Sequence, residues 1–246
     1  MDNNIPGRQF KWYQTGWGIT LIALSVVVVL AVIGFCILVG VYWWKIKSGG
    51  GDALLSQINS SQIKKDDPIM AARRKELETS DDPYLGNPSA TKVIVEFVDF
   101  KCSNSQVAAP IMRKIADKYG YKVKIIVRDF PMESLYKGSS QLAELASCAN
   151  EQGRFWLASD LFFQNQDQFG ESLEKERIDS LADIVGMDKG KLWECLDSGR
   201  ARIEVNKDYA TGFKYKITGT PTFFIDGQKV EGVVSWEEWE KYLKNL

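Results

Sequence analysis

No charged residue occurs between Trp12 and Trp44. Within that stretch, Ile19 to Trp44 is an apolar run that includes Leu21-Ile22-Ala23-Leu24 and Val26-Val27-Val28-Val29-Leu30. As a helix it reaches about 39 Å, enough to cross a hydrocarbon core of about 30 Å with some tilt. Trp12, Tyr13 and Trp17 precede it and Tyr42, Trp43 and Trp44 close it, as in the aromatic belts at the two faces of a bilayer. A cleaved signal peptide has an apolar core of only about 7–15 residues and a small-residue cleavage site. This run is longer and ends in aromatics followed by Lys45. Lipid modification of Cys36 does not fit either, because the apolar run continues to Trp44. The segment is therefore read as one uncleaved transmembrane anchor. Its flanks carry Arg8 and Lys11 against Asp2, and Lys45 and Lys47 against Asp52, so the positive-inside count is close to a tie.

The chain has 246 residues, four Cys and no His. Serine or cysteine chemistry that relies on a histidine base is excluded. A structural zinc site would need nearly every Cys, and no metal site is expected. Lys and Arg number 31 against 32 Asp and Glu, a balance that offers no general attraction to nucleic acid.

After the apolar run, Ser48-Gly49-Gly50-Gly51 is a flexible spacer. Residues 52–82 are polar and charge-mixed, with short helices expected over Ala53–Ile63 and Ile69–Glu78, neither with a strong apolar face. Asp82-Pro83 and Gly86-Asn87-Pro88 are dense turn punctuation, and the domain boundary is placed there. The expected organisation is a tail over 1–18, an anchor over 19–44, a linker or stalk over 45–82 and one domain over 83–246.

Inside that domain, Val93-Ile94-Val95-Glu96-Phe97-Val98 has the β-branched, apolar character of a buried strand. Ser103–Tyr119 follows as a helix with Val107, Ile111, Ile115 and Tyr119 at spacings of four and a bend expected at Pro110. Lys122–Val127 is a second strand, ended by Arg128-Asp129-Phe130-Pro131. Residues 133–213 are mostly helical, in segments near Ser139–Asn150, Arg154–Gln164, Leu173–Val185, Lys189–Ser198 and Ile203–Phe213. Thr222–Ile225 and Gln228–Gly232 make a hairpin about Asp226-Gly227. Ser235, with Glu238 three residues on, opens a last helix with a capping box. Phe223 and Phe224 alternate across their strand, so one is expected in the main core and the other can line a groove.

Few residues carry chemistry. Cys102 follows a strand and sits where a helix begins, and the unpaired amides there favour a thiolate. Gly219-Thr220-Pro221-Thr222 places a proline just before a strand, where it can be cis and leave the preceding backbone free to pair with an extended peptide. Cys148 and Cys195 share the helical block. They can form a structural disulfide in an oxidising compartment, remain two buried thiols, or supply a resolving thiol for Cys102.

Four stretches together resemble the DsbA-like thioredoxin-fold family. They are Gly86-Asn87-Pro88 with Val95-Glu96-Phe97-Val98-Asp99-Phe100-Lys101-Cys102, then Arg128-Asp129-Phe130-Pro131, then Cys148-Ala149-Asn150-Glu151-Gln152-Gly153-Arg154-Phe155-Trp156, and finally Gly219 to Gly227. The resemblance implies an α/β fold, a thioredoxin fold with a helical insertion, carried here behind one transmembrane helix. It implies a domain on the extracytoplasmic side of the cell membrane that acts on exported protein or peptide thiols. It implies Glu96 as a buried proton acceptor and Thr220-Pro221 as the substrate-binding loop. The family's Cys-x-x-Cys is here Cys102-Ser103-Asn104-Ser105, with Ser105 in place of the second thiol. A disulfide within the motif is therefore impossible, and monothiol exchange of the reductase or isomerase kind is expected. The other expectation is a module that keeps the fold and binds chains without redox turnover. Neither requires a cofactor. Turnover requires a membrane redox partner or a small thiol.

Overall fold

The computed structural model describes residues 16–47 and 68–245, in two separate compact units. The N-terminal tail with Arg8, Lys11, Trp12 and Tyr13, the glycine spacer and the helix expected at Ala53–Ile63 lie outside the described residues.

The first unit is helix α1 (Gly16–Lys47), 32 residues long. Its segment Ala23–Val41 has a mean hydropathy of 3.1 and is long and apolar enough to cross a membrane. Leu24, Val27, Leu30, Phe35 and Leu38 point outward around the helix. A helix that is apolar on every side suits lipid better than water. The run of four valines is a mediocre helix former in water. In hydrocarbon the helix is favoured because it satisfies every backbone amide internally.

The second unit is built on a five-stranded mixed sheet, in the order β1-β3-β2-β4-β5. The strands are β1 (Tyr84–Gly86), β2 (Lys92–Val98), β3 (Val123–Asp129), β4 (Thr222–Ile225) and β5 (Gln228–Glu231). Strands β2 and β3 run parallel, joined by helix α3 (Ser103–Tyr119), and the other pairs are antiparallel. Helix α3 continues unbroken through Pro110.

Alternation along β2 divides the core. Val93, Val95 and Phe97 pack on one face with Ile126, Phe130, Ile217 and Phe224. Ile94 packs on the other with Ile115 of α3, Phe223, and Trp239 of the last helix α9 (Trp236–Lys244). Both faces are thus covered, which is why Phe223 and Phe224 are both buried. The groove-lining role expected for one of them is overturned, because α9 covers Phe223 while Phe97 and Tyr215 cover Phe224. Helix α9 begins with the capping box formed by Ser235 and Glu238.

Between β3 and β4 lies the helical block: α4 (Ser139–Glu151), α5 (Phe155–Gln164), α6 (Lys175–Val185), α7 (Lys189–Ser198) and α8 (Arg200–Lys214). It has its own core, in which Phe155, Phe162, Phe163 and Phe169 gather with Phe100.

Two local features differ from the sequence reading. Strand β1 lies where only turns are expected, and pairs with β3. It is three residues long, and Gly86 (φ +85) ends it where a Cβ would sit 2.2 Å from the Val123 carbonyl oxygen. Helix α2 (Pro68–Leu77), expected within a stalk, packs on the domain instead. Leu77 is buried, Arg73 donates to the Gly227 carbonyl, and the Glu76 carboxylate accepts from Lys214 and Tyr215. The attachment is mostly polar, so it leaves no apolar stripe in the sequence.

Candidate active site

The turn between β2 and α3 is organised by Asp99. Its Oδ1 accepts from the Lys101 amide (2.7 Å) and the Ser139 hydroxyl (2.8 Å), and its Oδ2 accepts from the Met132 amide (2.7 Å). The Cys102 amide donates to the Asp99 carbonyl at 3.0 Å, which closes the turn. Cys102 is the N-cap of α3, in extended backbone (φ −80, ψ 122), and its side chain makes no cap hydrogen bond. The sulfur is thus left for other partners at the positive end of the helix. It is 4% exposed.

That sulfur donates to the carbonyl oxygen of Thr220 at 3.2 Å. The Thr220–Pro221 peptide is cis, and the Pro221 carbonyl accepts from the Gly232 amide at 2.9 Å. The Thr220 hydroxyl lies 4.0 Å from the Met132 sulfur. Cys102, Thr220 and Pro221 therefore meet in space from opposite ends of the domain sequence. Ser103 and Asn104 are exposed on the first turn of α3, whereas Ser105 is buried and its hydroxyl accepts from the Asp99 amide at 3.4 Å.

Glu96 points from β2 into the space under α3. It is buried, and its Oε1 has no hydrogen-bond partner among the described residues. A cavity of about 20 Å³ adjoins it, lined by Met112, Arg113, Trp156, Ser159 and Phe163 among others. That is room for about one water molecule. Burial pushes the carboxyl up to about 8, against the attraction of Arg113. Glu96 lies in the central strand β2, paired on both sides by β3 and β4. No hydrogen bond joins it to Cys102 among the described residues.

Several contributors left no sequence signal. Gln166 reaches from the helical block to donate to the carbonyls of Phe100 (2.8 Å) and Cys102 (3.0 Å). Lys101, next to Cys102, donates to the carbonyls of Lys137 and Gly170. The charge of Cys102 pushes the hydroxyl of Tyr136, in the loop after β3, above its ordinary value. Arg128, part of the stretch that ends the second strand, is buried between Asp208 (2.5 Å) and Asp82 (3.2 Å). Burial and the neighbouring Asp82 push Asp208 up to about 7, with Arg128 opposing.

Cys148 on α4 and Cys195 on α7 are joined as a disulfide, with Cα atoms 5.9 Å apart. Cys36 and Cys102 are free. Asp81, Asp82 and Glu204 place carboxylate oxygens within 4.8 Å of one another. Lys207 pairs with Asp81 and Glu204, and Arg128 with Asp82, so this group carries its own cations.

A sequence model described as Thioredoxin matches residues 78–245. Among solved structures, a thioredoxin-like oxidoreductase from Silicibacter pomeroyi DSS-3 is 22% identical, with 70% of this chain and 96% of that one covered at a TM-score of 0.58. The alpha-DsbA1 of Wolbachia pipientis is 20% identical, with 71% and 94% covered at a TM-score of 0.61. Among curated relatives, a Na(+)/H(+) antiporter NhaA 3 of Salinispora tropica is 28% identical over 151 residues, covering 61% of this chain. The chain spans only 22% of that relative's length, so the transport its name records stays with that relative.

Proposed function

Since the chain belongs to the thioredoxin family, and its one free thiol in the domain faces the Thr220–Pro221 loop, we propose that it exchanges disulfides with exported proteins through Cys102 alone. The contact between the Cys102 sulfur and the Thr220 carbonyl is the observation that carries this reading. It sets the nucleophile beside a backbone segment with which an extended client can pair.

In the proposed cycle Glu96 receives the thiol proton, by way of water in the adjoining cavity. A carboxyl held near 8 by burial is mostly protonated at neutral pH, so its minor ionised form is the acceptor and its share grows as pH rises towards 8. The Cys102 thiolate then attacks a client disulfide, forming one S–S bond as the client's own breaks, and the second client sulfur leaves as a thiolate. Ser105 cannot attack the mixed disulfide. Release follows when a different client thiolate, or a small external thiol, attacks the bonded client sulfur and Cys102 departs as a thiolate. No net oxidation occurs at the protein, and no cofactor takes part.

Helix α1 is the proposed single-pass anchor. The Cys148–Cys195 disulfide supports placing the domain on the extracytoplasmic side, since such bonds persist in oxidising compartments. The low exposure of Cys102, together with Ser105 in the motif, favours a second reading as a chain-binding module without turnover.

The test uses the full chain in detergent, presented with a disulfide-bonded client. Exchange predicts a reductant-sensitive mixed disulfide that Cys102→Ala abolishes. Client binding that survives both Cys102→Ala and reductant would sink the exchange reading and leave the binding module.

A further inference from the structure

We propose that the groove between α3 and α5 is the port through which Glu96 exchanges its proton with solvent, and that Arg113, which lines both the groove and the cavity beside Glu96, is the positioning residue of that exchange. The inference rests on the exchange reading and adds to it the route by which the buried acceptor is reset.

Glu96 is closed in on most sides. Strands β3 and β4 pair with β2 at Glu96, setting Val127 and Phe223 opposite it. A client paired at Thr220–Pro221 would cover the face that holds the Cys102 sulfur. A carboxyl that is mostly protonated at neutral pH must shed that proton before it can accept the one on Cys102. The proton therefore needs an outlet away from the client.

The outlet is visible in shared walls. The cavity of about 20 Å³ beside Glu96 and a surface groove of about 470 Å³ are both lined by Ala109, Arg113 and Phe163. Gln106, Ala109 and Arg113 recur at spacings of three and four, so α3 turns one face toward α5. The Gln106 side-chain amide donates to the Phe163 carbonyl. The Arg113 guanidinium donates to the Trp156 carbonyl (2.9 Å) and the Asp160 carboxylate (2.7 Å), and lies over the Trp156 ring at 4.3 Å. Its side chain is 26% exposed, so it reaches from the cavity wall to solvent. Neither Cys102 nor Thr220 lines the groove among the described residues.

The charges suit the role. Strands β1 and β3 wall the cavity with Leu85, Ile125 and Val127, and α5 with Trp156, Ser159 and Phe163, none of which ionises near neutral pH. Arg113 is the one charged neighbour of Glu96 in that wall among the described residues, while Lys114, Asp117 and Asp160 line the outer groove alone. An arginine keeps its charge throughout the physiological range, and an adjacent cation favours an ionised carboxyl. In the proposed step the Glu96 carboxyl gives its proton to water in the cavity, which passes one on to solvent in the groove. The carboxylate then accepts the proton of Cys102 and the thiolate forms. The net change is one proton moved from the thiol to solvent, with Glu96 protonated again.

The experiment uses the full chain in detergent and follows the infrared carbonyl band of the protonated Glu96 carboxyl, assigned by its loss in Glu96→Gln. Arg113→Met is expected to raise the pH midpoint of that band by about one unit, and Arg113→Lys to restore most of the shift. Asp160→Asn, which releases Arg113 from its outer partner, is expected to lower the midpoint. A merely structural Arg113 would shift Arg113→Met and Asp160→Asn alike, since both break the same ion pair, and that result would overturn its role. The port is read by rapid mixing into heavy water, with Cys102 free or capped as a mixed disulfide with glutathione. Deuterium is expected to enter the carboxyl equally fast in both, and several-fold more slowly in Ala109→Leu, which fills the shared wall. If the cap slows entry, or if Ala109→Leu does not, the proton passes elsewhere and the inference falls while exchange stands. A parent that forms no mixed disulfide would sink the exchange reading itself, and the port with it.

Discussion

The thiol of Cys102 donates to the carbonyl of Thr220 at 3.2 Å, across a sequence separation of 118 residues. This bond belongs to the protonated thiol. When the sulfur loses its proton the donor is gone, and a lone pair of the Thr220 carbonyl is released. On the proposed exchange reading, that lone pair is one a client backbone amide would use.

Restoring a second thiol should change the chemistry. Ser105 is buried one helical turn from Cys102. Ser105→Cys is expected to form a disulfide within the motif on exposure to oxidised glutathione, detected as a loss of one hydrogen pair in the mass of the peptide over residues 102–105. Its mixed disulfides with clients should become short-lived. Two fully alkylated thiols after oxidation would show that the geometry of this turn does not support the bond.

The pH dependence of stability should carry the mark of Glu96. Its carboxyl is held at about 8 in the folded chain against an ordinary value of 4.5. Between those values the folded state binds the extra proton, so stability falls as pH rises. Glu96→Gln cannot ionise. It should match the parent at acidic pH and become the more stable form as pH climbs through that window, by up to about 5 kcal/mol at the alkaline end. Urea unfolding of parent and variant across pH measures the difference. A gap that does not change with pH would contradict the buried, neutral carboxyl.

Arg128 holds Asp208 and Asp82 inside the domain. Arg128→Met should destabilise the fold by about 3–5 kcal/mol, because two buried carboxylates lose their cation. Adding Asp208→Asn should recover part of that loss. If the double variant is no more stable than the single one, the cost came from packing instead of charge.

The Cys148–Cys195 bridge closes a loop with a sequence separation of 47, for which chain entropy gives about 4 kcal/mol of stabilisation. Cys148→Ala with Cys195→Ala should lower the urea midpoint while leaving Cys102 alkylation unchanged, since the bridge lies within the helical block. Alkylation of both cysteines in the parent without reductant would show them to be unbridged.

The frame of the fold was readable because its elements are strongly patterned. The helix boundaries at Ser103 and Tyr119, and the strand at Thr222–Ile225, agree with the periodicity and the punctuation around them. Cys102 and Thr220-Pro221 stood out because a thiol at a helix start and a proline before a strand are local signals. What stayed hidden depends on long-range polar contacts. Gln166 meets the site from the helical block through hydrogen bonds to the Phe100 and Cys102 carbonyls, and such distant partners are not written in a residue's own surroundings. Strand β1 escaped because three residues are too few to show a period, and helix α2 because its anchorage is polar.

The burial of the Cys102 sulfur has a further consequence. A thiol oxidised to sulfenic acid is normally rescued by condensing with a neighbouring thiol. Ser105 removes that rescue, so over-oxidation to the sulfinic acid would end the life of the site. A cysteine that is only 4% exposed offers dissolved peroxide little access. A single recessed cysteine thereby gains durability in an oxidising environment, where an open one would be consumed.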